Sequence, residues 1–418
     1  MNFKKLLSNS LLSAGISFFA ALLSFFTNIL IAREFGVSEF ATFSFIISLL
    51  AVSGVVANLG LNQYLLLNLP GKSSLRKTSL KIRTVNTFYV ANFIVSLCVF
   101  TYVLLSKYSY LTVFLITASS LLSSLMIYRQ AVLFAEEKVL FSQLIDRVFR
   151  GVLLFLLLLL GIFISDLVNI GGAELIGLSI FLSYLFSNAA YSSRFNKVKV
   201  VYPIRKRYLA KSELTSSLNL CIIVIFTTLM TNVDVLFLGA VGNEFDLASY
   251  SASQKITLLS SVFLMALTNI ITPTLVKSRA ENSFSSNLKL PVLIGFSASL
   301  VFFIIVFIFG ELILNVFGSE YIDAKSALVI LSLSQLINAF YGQSLTVMKI
   351  KKHIKRLAIY ILTSLIFKFV FLLFFYNSYG INGVAFTSLI SIFLWNFLCH
   401  RFILKKYRVD TSILGALR

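Results

Sequence analysis

Six ionisable residues lie inside long apolar stretches of this chain: Asp146, Arg147, Arg150, Asp234, Lys255 and Lys368. A charge at the centre of a membrane-spanning helix costs roughly 2.5–3.5 kcal/mol on insertion scales, so each needs a partner, water or a ligand. Four of the six are bases. Lys and Arg in a low-dielectric cavity meet phosphate oxygens with charge-assisted hydrogen bonds, whereas an unpaired carboxylate suits a cation or a proton. These residue types point to binding and coupling rather than to bond making. Asp146 and Arg150 are four apart on one helix face, so they can pair, and with Arg147 they can also snorkel to inner headgroups. Asp234 and Lys255 flank the short turn "VGNEFD". They are expected either to pair across that hairpin or to line a polar cavity. Lys368, in "LTSLIFKFVFLLFF", has no acid in its own stretch. It must face water, find a partner on another helix or give up its proton. Arg33 closes the first apolar stretch in "NILIAREFG", within reach of headgroups or of an anionic ligand.

The elements that carry these residues are read from composition. The 418 residues are 58% hydrophobic and only 12% charged, where a soluble domain carries about 25%. The mean hydropathy is +0.92. Windows of about 20 apolar residues, enough to cross the hydrocarbon core, recur twelve times, the first at 11–32 and the last at 381–402. Asp146, Arg147 and Arg150 open the window 142–164, Asp234 falls in 213–240, Lys255 in 247–275 and Lys368 in the middle of 357–377. The expected fold is an all-α polytopic membrane protein with twelve transmembrane helices in two six-helix lobes around a central cavity. The first window is too long for a signal-peptide core and is expected to stay.

The net charge of +20 is unevenly distributed. With the N-terminus inside, 29 of the 36 Lys and Arg fall on inner segments and only Arg33, Lys107 and Lys325 on outer ones. This is the positive-inside pattern, and it predicts two cytoplasmic termini. The tracts "RFNKVKVVYPIRKR" and "KIKKHIKR" then set topology and touch anionic membrane lipids, so nucleic acid is not an expected partner. The hydrophilic stretch around Pro203 divides the windows six and six. "EFATFS" at 39–44 and "DLASYS" at 246–251 repeat one pattern, each opening the second helix of its half. The expected organisation is a lobe over 1–192, a basic linker over 193–212, a second lobe over 213–402 and a basic tail over 403–418. Transporters built from such repeats place the substrate path at the repeat interface.

Other chemistries find little support. "PGKSS" at 70–74 contains Gly-Lys-Ser, but Leu66 stands where a phosphate loop has its first glycine. His353 and His400 are isolated, and Cys98, Cys221 and Cys399 lack metal-like spacing, so no metal and no cofactor is expected. A membrane polymerase or glycosyltransferase would need a large outer catalytic loop; the longest here is "ELILNVFGSEYIDAK", so an enzyme is not expected.

Several blocks resemble the polysaccharide-exporter and flippase branch of the multidrug/oligosaccharidyl-lipid/polysaccharide superfamily. They are "NILIAREFGVSEFATFSFIISLL", "NVDVLFLGAVGNEFDLASYSASQKI" with "NIITPTLVKS", "ELILNVFGSEYIDAKSALVILSLSQLINAFYGQSLTVM" and "YGINGVAFTSLIS". The resemblance implies two lobes around a cavity open alternately to each face. It also implies flipping of undecaprenyl-pyrophosphate-linked oligosaccharide, an O-antigen or capsule repeat unit in polysaccharide and lipopolysaccharide biosynthesis, across a bacterial cytoplasmic (inner) membrane. A polysaccharide polymerase and a chain-length regulator are the implied protein partners. Arg33 matches the "ARxFG" arginine that ends helix one in lipid II flippases. Lys255 stands at their helix-eight Arg, keeping the charge but losing the planar fork. The implied pyrophosphate ligands are Arg33, Lys255 and Lys368, with Arg147 and Arg150 in span five; Tyr250 and Tyr341 would meet sugar hydroxyls, and Asp234 and Asp146 would pair or couple. The alternative is an ion-coupled multidrug exporter of the same superfamily, for which cationic cargo would want the deep acid Asp234 unpaired.

Overall fold

The computed structural model describes residues 3–70, 73–105, 108–165, 171–195, 208–277 and 283–417. Gly71 and Lys72 of "PGKSS", Lys107 and most of the expected linker (196–207) lie outside them. Among the described residues there are helices and turns and no strands. An apolar chain that must satisfy every backbone N–H and C=O away from water does so within each helix. In order the helices are α1 (Phe3–Glu34), α2 (Val37–Ala57), α3 (Leu61–Asn68), α4 (Ser74–Leu104), α5 (Tyr110–Ala135), α6 (Val139–Gln143), α7 (Arg150–Ser165) and α8 (Gly172–Phe195). They continue with α9 (Lys211–Val241), α10 (Glu244–Lys277), α11 (Ser283–Asn315), α12 (Lys325–Phe340), α13 (Ser344–Ile350), α14 (Ile354–Tyr407) and α15 (Ile413–Leu417). By length and composition eight helices among the described residues can cross a membrane, or nine if α12 and α13, bent by 44° at their break, are taken as one span.

The helices are turned outward to lipid. On α14, Phe369 and Phe374 are each 65% exposed, while Lys368, next to Phe369 in sequence, is 2% exposed. The buried faces are correspondingly rich in small hydroxyls and amides, which draw helices together where lipid supplies no hydrophobic drive.

The chain forms two compact units, Thr42–Asn232 and Met1–Ala41 with Val233–Arg418, and passes between them within α2 and within α9. In the first, α5 presents Ser119, Ser120, Ser123 and Ser124, all buried. The Asn58 amide of α2 donates to the Ser124 carbonyl (3.0 Å), and Ser124 Oγ donates to Asn92 Oδ1 of α4 (2.6 Å). Each such bond between membrane helices contributes on the order of 0.6 kcal/mol. Lys81–Glu136 and Arg83–Glu213 ion pairs tie α4 to the ends of α5 and α9.

In the other unit an aromatic cluster seats α1 and the start of α2 on the end of α11: Phe317 lies 5.6 Å from Phe25 and 6.0 Å from Phe40, and Tyr321 lies 5.9 Å from Phe40 (ring centroids). Two glycines set the remaining turns. Gly380 (φ 56°, ψ −139°) interrupts the 54-residue α14, so its two arms run 354–379 and 381–407. Gly342 (φ +60°) makes the break between α12 and α13, where a Cβ would stand 2.4 Å from the Thr411 carbonyl oxygen. That carbonyl belongs to the C-terminal segment, which folds back: Thr411 is buried and its hydroxyl meets Ser344 Oγ (2.7 Å) and His400 Nδ1 (3.0 Å).

Replacing Gly342 with alanine combines a left-handed backbone with a clash against backbone and is expected to cost about 1–3 kcal/mol. Gly161→Ala, where a Cβ meets nothing within 4 Å, serves as the control. Thermal unfolding in detergent should show a lowered Tm for the first variant and an unchanged one for the second.

Candidate functional site

Asp234 lies seven residues before the end of α9 at Val241, and its carboxylate is 2% exposed. Its Oδ2 atom accepts three hydrogen bonds: from Lys368 Nζ (2.8 Å), Tyr250 Oη (2.5 Å) and Ser388 Oγ (2.6 Å). Lys368 stands on the first arm of α14, Ser388 on the second, and Tyr250 on α10. Tyr250 is fully buried, and its hydroxyl also lies 3.3 Å from Ser388 Oγ. One carboxylate oxygen thus joins three helices and both arms of the broken one. The other oxygen, Oδ1, is buried and takes no hydrogen bond among the described residues. Chemically the cluster is an internally neutralised ion pair capped by two hydroxyls. The cation on Asp234 is Lys368 and not Lys255, so pairing across the hairpin, one of the two expected arrangements, is not formed. The hairpin's geometry explains it: at 1.5 Å per residue, Asp234 lies about 10 Å from the turn, Tyr250 about 9 Å and Lys255 about 16 Å. Tyr250 is therefore level with Asp234, and Lys255 lies more than a helical turn deeper.

Lys255 is partly buried on α10 and makes no hydrogen bond or ion pair among the described residues. Arg33 at the end of α1 is exposed and spends two donors on the last turn of α11: Nε on the Val316 carbonyl (2.8 Å) and Nη2 on that of Asn315 (3.1 Å). A cation there complements the negative end of the helix dipole as well as its unpaired carbonyls. Tyr341 is buried and stacks edge-on with Phe340 at 5.3 Å.

The span-five charges sit in the other unit, Asp146 and Arg147 on a π-helical segment, Leu144–Phe149, between α6 and α7, and Arg150 at the first residue of α7. Such widened turns recur at functional sites because they re-aim side chains. Arg150 Nε lies 3.7 Å from Asp146 Oδ1 and 3.2 Å from the Asp146 carbonyl, and the guanidinium rests 5.0 Å over the Tyr184 ring of α8. Gln130 of α5 donates to the second Asp146 oxygen (3.0 Å). Arg147, on the same segment, is partly buried.

The structure therefore brings Asp234, Tyr250 and Lys368 together, brings Asp146 and Arg150 together, and leaves Lys255 and Arg33 in separate settings. Ser388 was missed from sequence: it lies beside Thr387 and near Ser391, and nothing in its type or spacing signals that it faces a carboxylate. So was the Tyr376 hydroxyl, which donates to Asp246 Oδ2 at 2.8 Å, near the turn of the same hairpin. Among the described residues no group of acidic, His and Cys side chains is placed to hold a metal.

Breaking one half of a buried pair strands the other charge, a loss of about 3–5 kcal/mol, whereas removing both is far milder. Lys368→Met should lower the unfolding temperature in detergent sharply, and Asp234→Asn combined with Lys368→Met should recover most of it.

The family model for "Polysaccharide biosynthesis protein" matches residues 6–279, and the MatE model matches residues 220–374. No curated protein sequence matches the chain. Among solved structures it is similar to a multidrug resistance MATE family transporter of the MOP superfamily in an inward-facing conformation (TM-score 0.72, 14% identity, 96% of this chain and 98% of that chain covered). It is also similar to the lipid II flippase MurJ in an inward closed conformation (0.69, 14%, 97% and 89%). A MOP superfamily transporter from Pyrococcus furiosus follows (0.64, 15%, 99% and 97%). At these identities the likeness to solved structures is one of fold, while the family model covers well over half of the sequence. The chain is a multi-pass membrane protein that belongs to the polysaccharide biosynthesis protein family, with the fold of the multidrug/oligosaccharidyl-lipid/polysaccharide exporter superfamily.

Proposed function

We propose that this protein is a flippase that carries undecaprenyl-pyrophosphate-linked oligosaccharide, an O-antigen or capsule repeat unit, from the inner to the outer leaflet of a bacterial cytoplasmic membrane. Twelve spans in two repeat-related halves, with both termini inside, would work by alternating access. One observation carries the choice of cargo. The deep acid Asp234 is neutralised by Lys368 and capped by two hydroxyls, while Lys255 keeps an ammonium with no ion-pair partner among the described residues. A cavity for cationic drugs wants the reverse, an open acid and satisfied bases. An unpaired base in a poorly solvated setting favours a phosphate-bearing cargo.

Lys255 supplies a charge that cargo can satisfy in one conformation better than in another, and such a difference in affinity is what drives a two-state carrier. Arg147 on the π-helical segment and Arg150 at the start of α7, both near Asp146 in sequence, are a second cationic station on this reading. Arg33 serves chiefly to cap α11, with three of its five N–H donors left for cargo. Substrate hand-over to a polymerase and a chain-length regulator would follow on the outer face.

Lys255→Ala should cut surface glycan display about tenfold or more, the loss of one charge-assisted contact, with membrane level and Tm unchanged. Lys255→Arg should restore it. Normal glycan display in Lys255→Ala cells that hold normal amounts of protein would contradict the proposal.

A further inference from the structure

The unit formed by Met1–Ala41 and Val233–Arg418 contains a cleft of about 410 Å³, bounded by α10, α11, α12, α13 and the second arm of α14. Its volume lies in the range of small-molecule sites, about 300–1,000 Å³. None of the six charges within the apolar stretches lines it; of the basic tract "KIKKHIKR" only Lys349 does. It stands where the helices are least regular. The 44° bend between α12 and α13 is at its wall, and Pro291 lies inside α11 on the opposite side. Within a membrane, irregular backbone is tolerated where it is buried in protein or lines a polar cavity, and binding sites of carriers are built from such broken helices.

The polar groups at the cleft divide into two kinds. Gln343 is already held, between Thr268 (3.1 Å) and Thr346 (2.9 Å). Three donors are not. Asn338 accepts from Asn396 through its Oδ1 (3.1 Å), but its NH₂ has no acceptor among the described residues. The Trp395 indole N–H and the Lys349 ammonium likewise have none. Leu264 and Met265 supply apolar wall. A fixed amide framework, donors in want of acceptor oxygens, an indole and an aliphatic wall together suit a sugar ring: hydroxyls on its edge, C–H groups on its faces. Lys349, exposed at α13, adds a cation for a substituent that carries negative charge.

We propose that this cleft, within one unit, binds one or two sugar rings of the glycan cargo through Asn338, Gln343 and Trp395, with Lys349 reading acidic or phosphorylated substituents. The inference rests on the reading of the chain as a glycan carrier, but its test does not pass through transport. Trp395 is the only tryptophan in the chain, so intrinsic fluorescence of the purified full-length protein in detergent reports on this site alone. Lactose, cellobiose, N-acetyllactosamine and N-acetylglucosamine 1-phosphate are the probes, titrated to about 50 mM to reach millimolar Kd values, with inorganic phosphate alone as comparison.

The expected result is a saturable change in Trp395 emission with at least one sugar. Asn338→Ala should weaken it about tenfold, and Lys349→Ala, an exposed and structurally undemanding change, should weaken only the phosphorylated sugar. Silence toward every sugar, or a response to inorganic phosphate with none to sugars, overturns the inference. A chain whose glycan display depends on Lys255 while Trp395 ignores every sugar loses this site and keeps the carrier function. A chain whose Trp395 responds, yet whose Lys255→Ala variant displays normal glycan, keeps the site and loses the carrier mechanism.

Discussion

The Asp234–Lys368 pair is the constraint around which one of the two units is organised. Both residues are almost fully buried, and neither charge is tolerable there alone. Satisfying one carboxylate oxygen requires α9, α10 and both arms of α14 to converge at that depth. The break at Gly380 is what allows a single long helix to approach the same oxygen twice, through Lys368 and through Ser388. The pair adds specificity of arrangement more than stability, since well-packed apolar residues of similar volume hold helices at least as well. Its functional consequence is subtractive. With the deep acid consumed internally, the uncompensated charge on the neighbouring helix is positive.

Much of this was legible in the sequence, and the limits follow from physics. Window length and the asymmetry of Lys and Arg announce the membrane class, because the bilayer reads both directly. The depth of Lys368 announces that it needs water, a partner on another helix or loss of its proton; the structure supplies the partner. Which partner was not legible. Pairing Asp234 with Lys255 assumed that the hairpin helices end at 240 and 247, whereas they end at Val241 and begin at Glu244. A tighter turn places Lys255 deeper and puts Tyr250 level with the carboxylate. The four-residue spacing of Asp146 and Arg150 did carry over into a contact, since that pattern is local. Arg33 could not be resolved the same way, because the carbonyls it caps are brought to it by an aromatic cluster distant in sequence.

The α2–α4–α5 contacts of the other unit show what uncharged polar residues do between membrane helices. Asn58, Asn92, Ser120, Ser123 and Ser124 bond to one another and to nearby carbonyls, as glue between helices, while Ser119 Oγ and Asn58 Oδ1 are buried without a partner among the described residues. In the cleft beside Trp395 the Gln343 amide is held while the Asn338 amide is only half satisfied.

The central claim is that the carried molecule is a lipid-linked glycan. The most direct measurement is the distribution of lipid-linked oligosaccharide between membrane leaflets, with surface polysaccharide, in a strain lacking this protein. The predicted result is loss of long surface polysaccharide with oligosaccharide-lipid accumulating on the cytoplasmic side, reversed by the intact chain. Normal surface glycan, with heightened sensitivity to cationic dyes, would contradict it and identify a drug exporter instead.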